Sequence, residues 1–208
     1  MRAIFLDRDG VICENRSDHV KTWDEFQFLP RVIDSLAALS RLDLPVIVVS
    51  NQAAINRGFV SANTVEDIHR RMVAEIEAGG GRIDRVMYCP HRSDENCDCR
   101  KPQPGMLRQI AAEMDIDLTQ SYLIGDAATD IMAGNRAGCR NFLVLTGRGF
   151  KQVVPALQQA KGRFTIVRDL MDAAITIVEV EAKMSARVDK TWSPSTLSRP
   201  PVISAINS

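Results

Sequence analysis

The feature that most constrains this chain is an alternation: short apolar runs, several rich in β-branched residues, recur between segments of helical periodicity, and most end in a polar cluster. Ala3-Ile4-Phe5-Leu6, Val46-Ile47-Val48-Val49, Arg85-Val86-Met87-Tyr88, Tyr122-Leu123-Ile124, Asn141-Phe142-Leu143-Val144-Leu145 and Phe164-Thr165-Ile166-Val167 read as strands. Between them, apolar residues fall at helical spacing: Val32, Ile33, Leu36, Leu39 and Leu42 after Pro30; Val65, Ile68, Met72, Val73 and Ile76 after the cap candidates 61–64; Met106, Leu107, Ile110 and Met114 after Pro104. Ile131 to Ala137 and residues 168–183 complete the helical segments. Strands that alternate with helices predict an α/β fold, a parallel sheet covered on both faces. Such sheets bind ligands beyond the carboxyl ends of their strands, so the polar residues at those ends are where chemistry is expected.

Four polar clusters each follow an apolar strand or, for Arg100-Lys101, the Cys/His clip beyond one. The first strand runs into Asp7-Arg8-Asp9-Gly10. Two carboxylates one residue apart can divide phosphoryl transfer between them, Asp7 attacking phosphorus and Asp9 giving or taking a proton, with a divalent cation restraining their repulsion. The same string also makes an ordinary Asx turn with Gly10. The second strand ends in Ser50-Asn51-Gln52, a hydroxyl and carboxamides able to hydrogen-bond phosphoryl oxygens or simply to form a turn. Arg100-Lys101 offers cations, and Lys101 can neutralise a phosphoryl group as a point charge. The fourth strand ends in Gly125-Asp126, with Asp130 four residues on. Asp126 reads either as a helix N-cap or as a ligand, and the ligand role is favoured: Asp7, the Asp9 carbonyl and Asp126 form an oxygen set suited to Mg²⁺.

Three of the five cysteines crowd into Cys89-Pro90-His91 and Cys97-Asp98-Cys99. Cys89, His91, Cys97 and Cys99 are the ligand set of a closed tetrahedral zinc centre. With no position left for water the expected role is structural, pinning a polar loop that has little apolar content of its own. A redox role for Cys97 and Cys99 is the weaker alternative, since two further ligands stand beside them. Cys13 and Cys139 read as small buried hydrophobes.

With 208 residues and 45% hydrophobic content there is material for one sizeable core. Lys and Arg number 26, as do Asp and Glu, which removes any global field for nucleic acid or an anionic membrane. No apolar run reaches membrane-spanning length, and the first strand begins too early for a signal segment, so a cytoplasmic protein is expected. The polar run 14–24 reads as a loop over the strand ends, and Thr146-Gly147-Arg148-Gly149 as a turn. Residues 1–183 are read as the domain, with the zinc loop at 89–99, and 184–208 as a flexible tail.

Taken in order, Asp7-x-Asp9-Gly10, Ser50, Lys101 and Gly125-Asp126-x-x-x-Asp130 resemble the four motifs of the haloacid dehalogenase (HAD) superfamily of phosphohydrolases. Phe5-Leu6-Asp7-Arg8-Asp9-Gly10, Ser50-Asn51-Gln52, Arg57-Gly58 and the Cys/His clip before Arg100-Lys101-Pro102 narrow the likeness to the branch that dephosphorylates heptose bisphosphates and histidinol phosphate. The resemblance covers about residues 1–180 and implies a Rossmann-like domain without a separate cap, the zinc loop partly standing in for one. It implies Asp7 as phospho-acceptor and Asp9 as general acid, then base. Mg²⁺ would sit on Asp7, Asp9 and Asp126, with Asp130 behind them. Ser50, Asn51, Gln52, Arg57, Arg100 and Lys101 would form the phosphate- and substrate-binding set, helped by the 14–21 loop. Ala127 stands where heptose bisphosphatases often carry lysine, so one anion contact of that branch is missing here. The expected partner is a small phosphorylated metabolite, a heptose bisphosphate first and histidinol phosphate second, acted on by a monomer with no nucleic-acid or membrane partner. A zinc-stabilised binding protein that has lost catalysis is the alternative from another class, and the intact carboxylates with Lys101 argue against it.

Overall fold

A computed structural model describes residues 1–160, 162–188 and 202–205. Seven strands form one parallel sheet in the order β6-β5-β4-β1-β2-β3-β7. They are β1 (Ile4–Leu6), β2 (Val46–Asn51), β3 (Arg85–Cys89), β4 (Tyr122–Gly125), β5 (Arg140–Val144), β6 (Phe164–Val167) and β7 (Val202–Ala205). The helices are α1 (Val32–Leu39), α2 (Ala62–Ala78), α3 (Gly105–Met114), α4 (Ala128–Ala137), α5 (Gly149–Gln159) and α6 (Leu170–Val188). The shortest strand, β1, lies at the centre, paired with β2 through Ile4–Val46 and with β4 through Ile4–Tyr122.

The period-2 geometry of a strand divides the core between the two faces. Ile4, Leu6, Val46 and Val48 point to one side and pack with Leu36 and Leu39 of α1, Ile68 and Met72 of α2 and Ile177 of α6. Phe5, Ile47 and Val49 point to the other and pack with Met106, Leu107 and Ile110 of α3 and Ala133 of α4. With every one of these side chains buried, the two-sided apolar reading of the strands holds. Among the described residues no helix is long and apolar enough to cross a membrane.

Local signals mostly act where the sequence places them. Ser61 Oγ accepts from Thr64 N at 3.1 Å and caps α2. Pro30 lies two residues outside the first helical position expected for it, because Arg31 takes the N-cap position of α1 in a left-handed conformation. Helix α5 has no counterpart in the sequence reading: Pro155 sits in its interior, where proline normally argues against a helix. The tail also differs. Helix α6 runs on to Val188, and the backbone of Val202–Ala205 pairs in parallel with β3, covering that edge of the sheet. The rest of the expected tail, 189–201 and 206–208, lies outside the described residues.

Candidate active site

The centre of the site follows from the strand order. Because β1 and β4 are neighbours, Asp7 and Asp126, each the residue after or at the end of its strand, come together, and the first turn of α4 brings Asp130 beside them. Carboxylate oxygens of Asp7, Asp126 and Asp130 lie within 4.8 Å of one another, all three buried. Asp126 does not cap α4; Ala127 holds that position, and Asp130 Oδ2 accepts from Ala127 N at 3.0 Å. Asp126 Oδ2 instead accepts from Asn15 Nδ2 at 3.1 Å and from Arg148 N at 2.8 Å, and the Arg148 guanidinium pairs with Oδ1 at 3.2 Å.

Two glycines make this approach possible. A Cβ on Gly10 (φ +85°) would stand 2.1 Å from Asp126 Oδ2, and one on Gly147 (φ +56°) would stand 2.4 Å from it. Both positions therefore need glycine twice over, for the left-handed backbone and for the space.

Lys101 supplies the buried counter-charge. Its ammonium lies 2.9 Å from Asp7 Oδ1 and 2.7 Å from Asp130 Oδ1, and donates to Val49 O at 2.8 Å. Burial pushes the Asp7 carboxyl up to about 6, with Lys101 pulling the other way. Burial, and then Asp7, also raises Asp126 against the opposing pull of Arg148. Three enclosed carboxylates thus face one enclosed ammonium and one half-exposed guanidinium. This excess of hard, anionic oxygen fits a divalent cation such as Mg²⁺.

The second strand's polar residues all hydrogen-bond within the protein. Ser50 is fully buried, and its Oγ accepts from Gln52 Nε2 at 2.8 Å, which leaves its own proton to donate. Gln52 is buried too, and its carboxamide is taken up by Ser50, Asp9 and Arg8, so it forms part of the wall. The Asn51 carboxamide pairs reciprocally with the Lys101 backbone, Nδ2 donating to Lys101 O at 3.0 Å and Oδ1 accepting from Lys101 N at 3.1 Å. Asn51 holds the lysine-bearing loop to the sheet. Arg57 is exposed on the loop after β2. Arg100 donates to His91 O at 3.0 Å and lines, with Arg92 and Lys101, a cavity of about 180 Å³.

Asp9 sits lower than an ordinary carboxylic acid. Burial works to raise it, but the Arg8 guanidinium, bonded at 2.8 and 3.0 Å, and Gln52 at 2.9 Å outweigh that and lower it. Arg8, Asn15 and Arg148 were not singled out in the sequence. Arg148 carried the available signal, a polar residue just past the C-terminal end of a strand.

Cys89, His91, Cys97 and Cys99 converge at the end of β3. The sulfurs lie 3.2–3.6 Å apart, and His91 Nδ1 is 3.4 Å from Cys89 Sγ and 3.2 Å from Cys99 Sγ. None of the five cysteines is in a disulfide. Tetrahedral zinc with bonds of about 2.3 Å places its sulfurs about 3.8 Å apart, so the donor set and spacing fit that ion. Burial raises the thiols of Cys89 and Cys99, so thiolates here call for a cation to displace their protons.

Residues 98–173 match the HAD-hydrolase-like family model. Over 148 residues the chain is 40% identical to the D-glycero-beta-D-manno-heptose-1,7-bisphosphate 7-phosphatase of Pseudomonas aeruginosa, covering 71% of this chain and 83% of that one. Against the protein of the same name from Neisseria meningitidis serogroup A it is 32% identical over 186 residues, 89% of this chain and 100% of that one. The crystal structure of D,D-heptose 1,7-bisphosphate phosphatase from B. bronchiseptica, complexed with magnesium and phosphate, superposes with a TM-score of 0.80 at 36% identity, covering 86% of this chain and 99% of that one.

Proposed function

This chain belongs to the D-glycero-beta-D-manno-heptose-1,7-bisphosphate 7-phosphatase family of HAD-like hydrolases, and from that membership we propose that it removes the 7-phosphate of D-glycero-D-manno-heptose 1,7-bisphosphate. The observation that carries the mechanism is the convergence of Asp7, Asp126 and Asp130 on Lys101 at the ends of two adjacent strands.

Asp7 attacks the phosphorus, the bond from phosphorus to the sugar oxygen breaks, and Asp9 gives that oxygen its proton. A phosphate dianion docked beside Asp9 opposes the effect of Arg8 and favours the protonated form the step requires. Water then attacks the phosphorus of the aspartyl phosphate, Asp9 taking its proton, and inorganic phosphate leaves with Asp7 restored. Lys101 and the Ser50 hydroxyl meet phosphoryl oxygens, a role that falls on transferring charge and so stabilises the transition state. Asp7, the Asp9 carbonyl and Asp126 would hold Mg²⁺, which when bound neutralises charge on the phosphoryl group and lets one anion approach another. Arg57, Arg100 and the 14–21 loop meet the remainder of the sugar phosphate. Cys89, His91, Cys97 and Cys99 hold a structural zinc.

The test is phosphate release from both anomers of the heptose bisphosphate and from L-histidinol phosphate, with and without Mg²⁺, for the wild type and Asp7→Asn. Mg²⁺-dependent turnover with a higher kcat/KM on a heptose ester, lowered at least about a thousandfold in the variant, is expected. Preference for histidinol phosphate overturns the substrate, and retained turnover in Asp7→Asn overturns the nucleophile.

A further inference from the structure

Behind Asp9 lies a buried polar chain that the reaction steps above leave unused. Arg8 is 1% exposed, and its guanidinium divides among three partners. Nη2 donates to Asp9 Oδ1 at 2.8 Å and Oδ2 at 3.0 Å, and to Gln52 Oε1 at 3.1 Å; Nη1 lies 3.1 Å from His69 Nε2. Gln52 closes the frame by donating to Asp9 Oδ2 at 2.9 Å. An arginine carries donors only and keeps its charge, so His69 Nε2 must be the acceptor and the ring proton must sit on Nδ1.

That Nδ1 has no hydrogen-bond partner among the described residues, although the ring is completely enclosed beside Tyr88, 5.5 Å between centroids. His69 occupies the buried face of α2 with Val65, Ile68, Met72 and Val73. Leucine there would spare the cost of that unpaired N–H but would strand the buried Arg8 Nη1 in its place. What leucine cannot offer is the acceptor that Nε2 presents to Arg8.

We propose that His69 is a positioning residue for Asp9: its Nε2 fixes the far side of the Arg8 guanidinium, which together with Gln52 holds the Asp9 carboxylate where it must meet the leaving oxygen. Acid–base groups have to be held within fractions of an ångström, and a long, rotatable arginine does this only when both ends of its fork are anchored. The inference rests on the reading of Asp9 as the proton donor.

The test exploits leaving-group chemistry. An alkyl phosphate expels an alkoxide that needs a proton, whereas p-nitrophenyl phosphate expels a phenolate that does not. The parameter is kcat/KM, which covers the steps through loss of the leaving group and excludes the later attack of water. His69→Leu should lose roughly 10- to 100-fold on the heptose ester and less than about threefold on p-nitrophenyl phosphate, within the span of general acid catalysis. His69→Gln, whose Oε1 can take the place of Nε2, should stay within about threefold of the wild type on both esters. If His69→Leu does not fold, His69→Met of similar volume serves the same comparison. Equal losses on the two esters, or no loss on the heptose ester, overturn the positioning role while leaving the phosphatase reading intact. No turnover of either ester by the wild type overturns both.

Discussion

Lys101→Met tests the electrostatic account of the site most directly. The substitution keeps the aliphatic stem and removes an ammonium whose side chain is 2% exposed and which lies 2.9 Å from Asp7 and 2.7 Å from Asp130. Both carboxylates stay buried, at 7% and 1% side-chain exposure, so neither is rescued by water. Stranding a buried charge in this way costs about 3–5 kcal/mol, which for a chain of this length lowers Tm by about 6–20 °C. The penalty has a direction in pH. Burial lifts the Asp7 carboxyl to about 6, so the folded state binds that proton more tightly than the unfolded chain does, and stability from this group is lost as pH rises from the ordinary carboxylate range through about 6. Removing Lys101 moves that window upward. The difference between wild type and variant should therefore be larger at pH 8 than at pH 5, measured by urea denaturation of the zinc-loaded protein without added Mg²⁺. Saturating Mg²⁺, at about 100 times its dissociation constant, should return about 2.7 kcal/mol to either protein. A difference under about 1 kcal/mol at pH 8, or one that does not change with pH, would refute the picture of an ammonium neutralising enclosed carboxylates.

Mg²⁺ binding should weaken roughly tenfold per pH unit below about 6 and release protons there, because the Asp7 carboxyl must ionise to bind; calorimetry in buffers of different ionisation enthalpy reads both effects. Metal analysis should find one zinc per chain in the wild type and none in Cys97→Ser. That variant should lose hydrolysis while keeping most of its far-UV circular dichroism, since Lys101 stands two residues beyond Cys99 and the sheet carries its own apolar core.

Much of this arrangement is legible in the sequence because two periodicities never conflict there. Runs such as Val46-Ile47-Val48-Val49 can only be strands buried on both faces, and once they alternate with helices the strand ends define a crevice. The Cys/His cluster is legible for a different reason, since four donors in so short a segment leave few uses other than holding a metal. Side-chain direction is what the linear pattern lacks. Gln52 and Asn51 follow a strand as Ser50 does, yet one turns into the wall against Asp9 and the other ties down the Lys101 backbone. Arg8 stands between two acids, and nothing in the linear pattern marks it as a residue that the fold encloses completely. Helix α5 escaped because Pro155 and the glycines of 147–149 carry the signals of a turn, and with it went Arg148, held beside Asp126 by the same glycine-rich bend.

The central place of β1 bears on how the protein is made. Asp7 is synthesised before its neighbour across the sheet, β4, and before its ion-pair partner Lys101, both of which follow it by many residues. Pairings of such long sequence separation form late. The nascent chain thus carries both acids of the first motif before their counter-charge and the rest of their cradle have been made. The carboxylate cluster can close only once β4, the strand that follows Ser121, has docked beside β1.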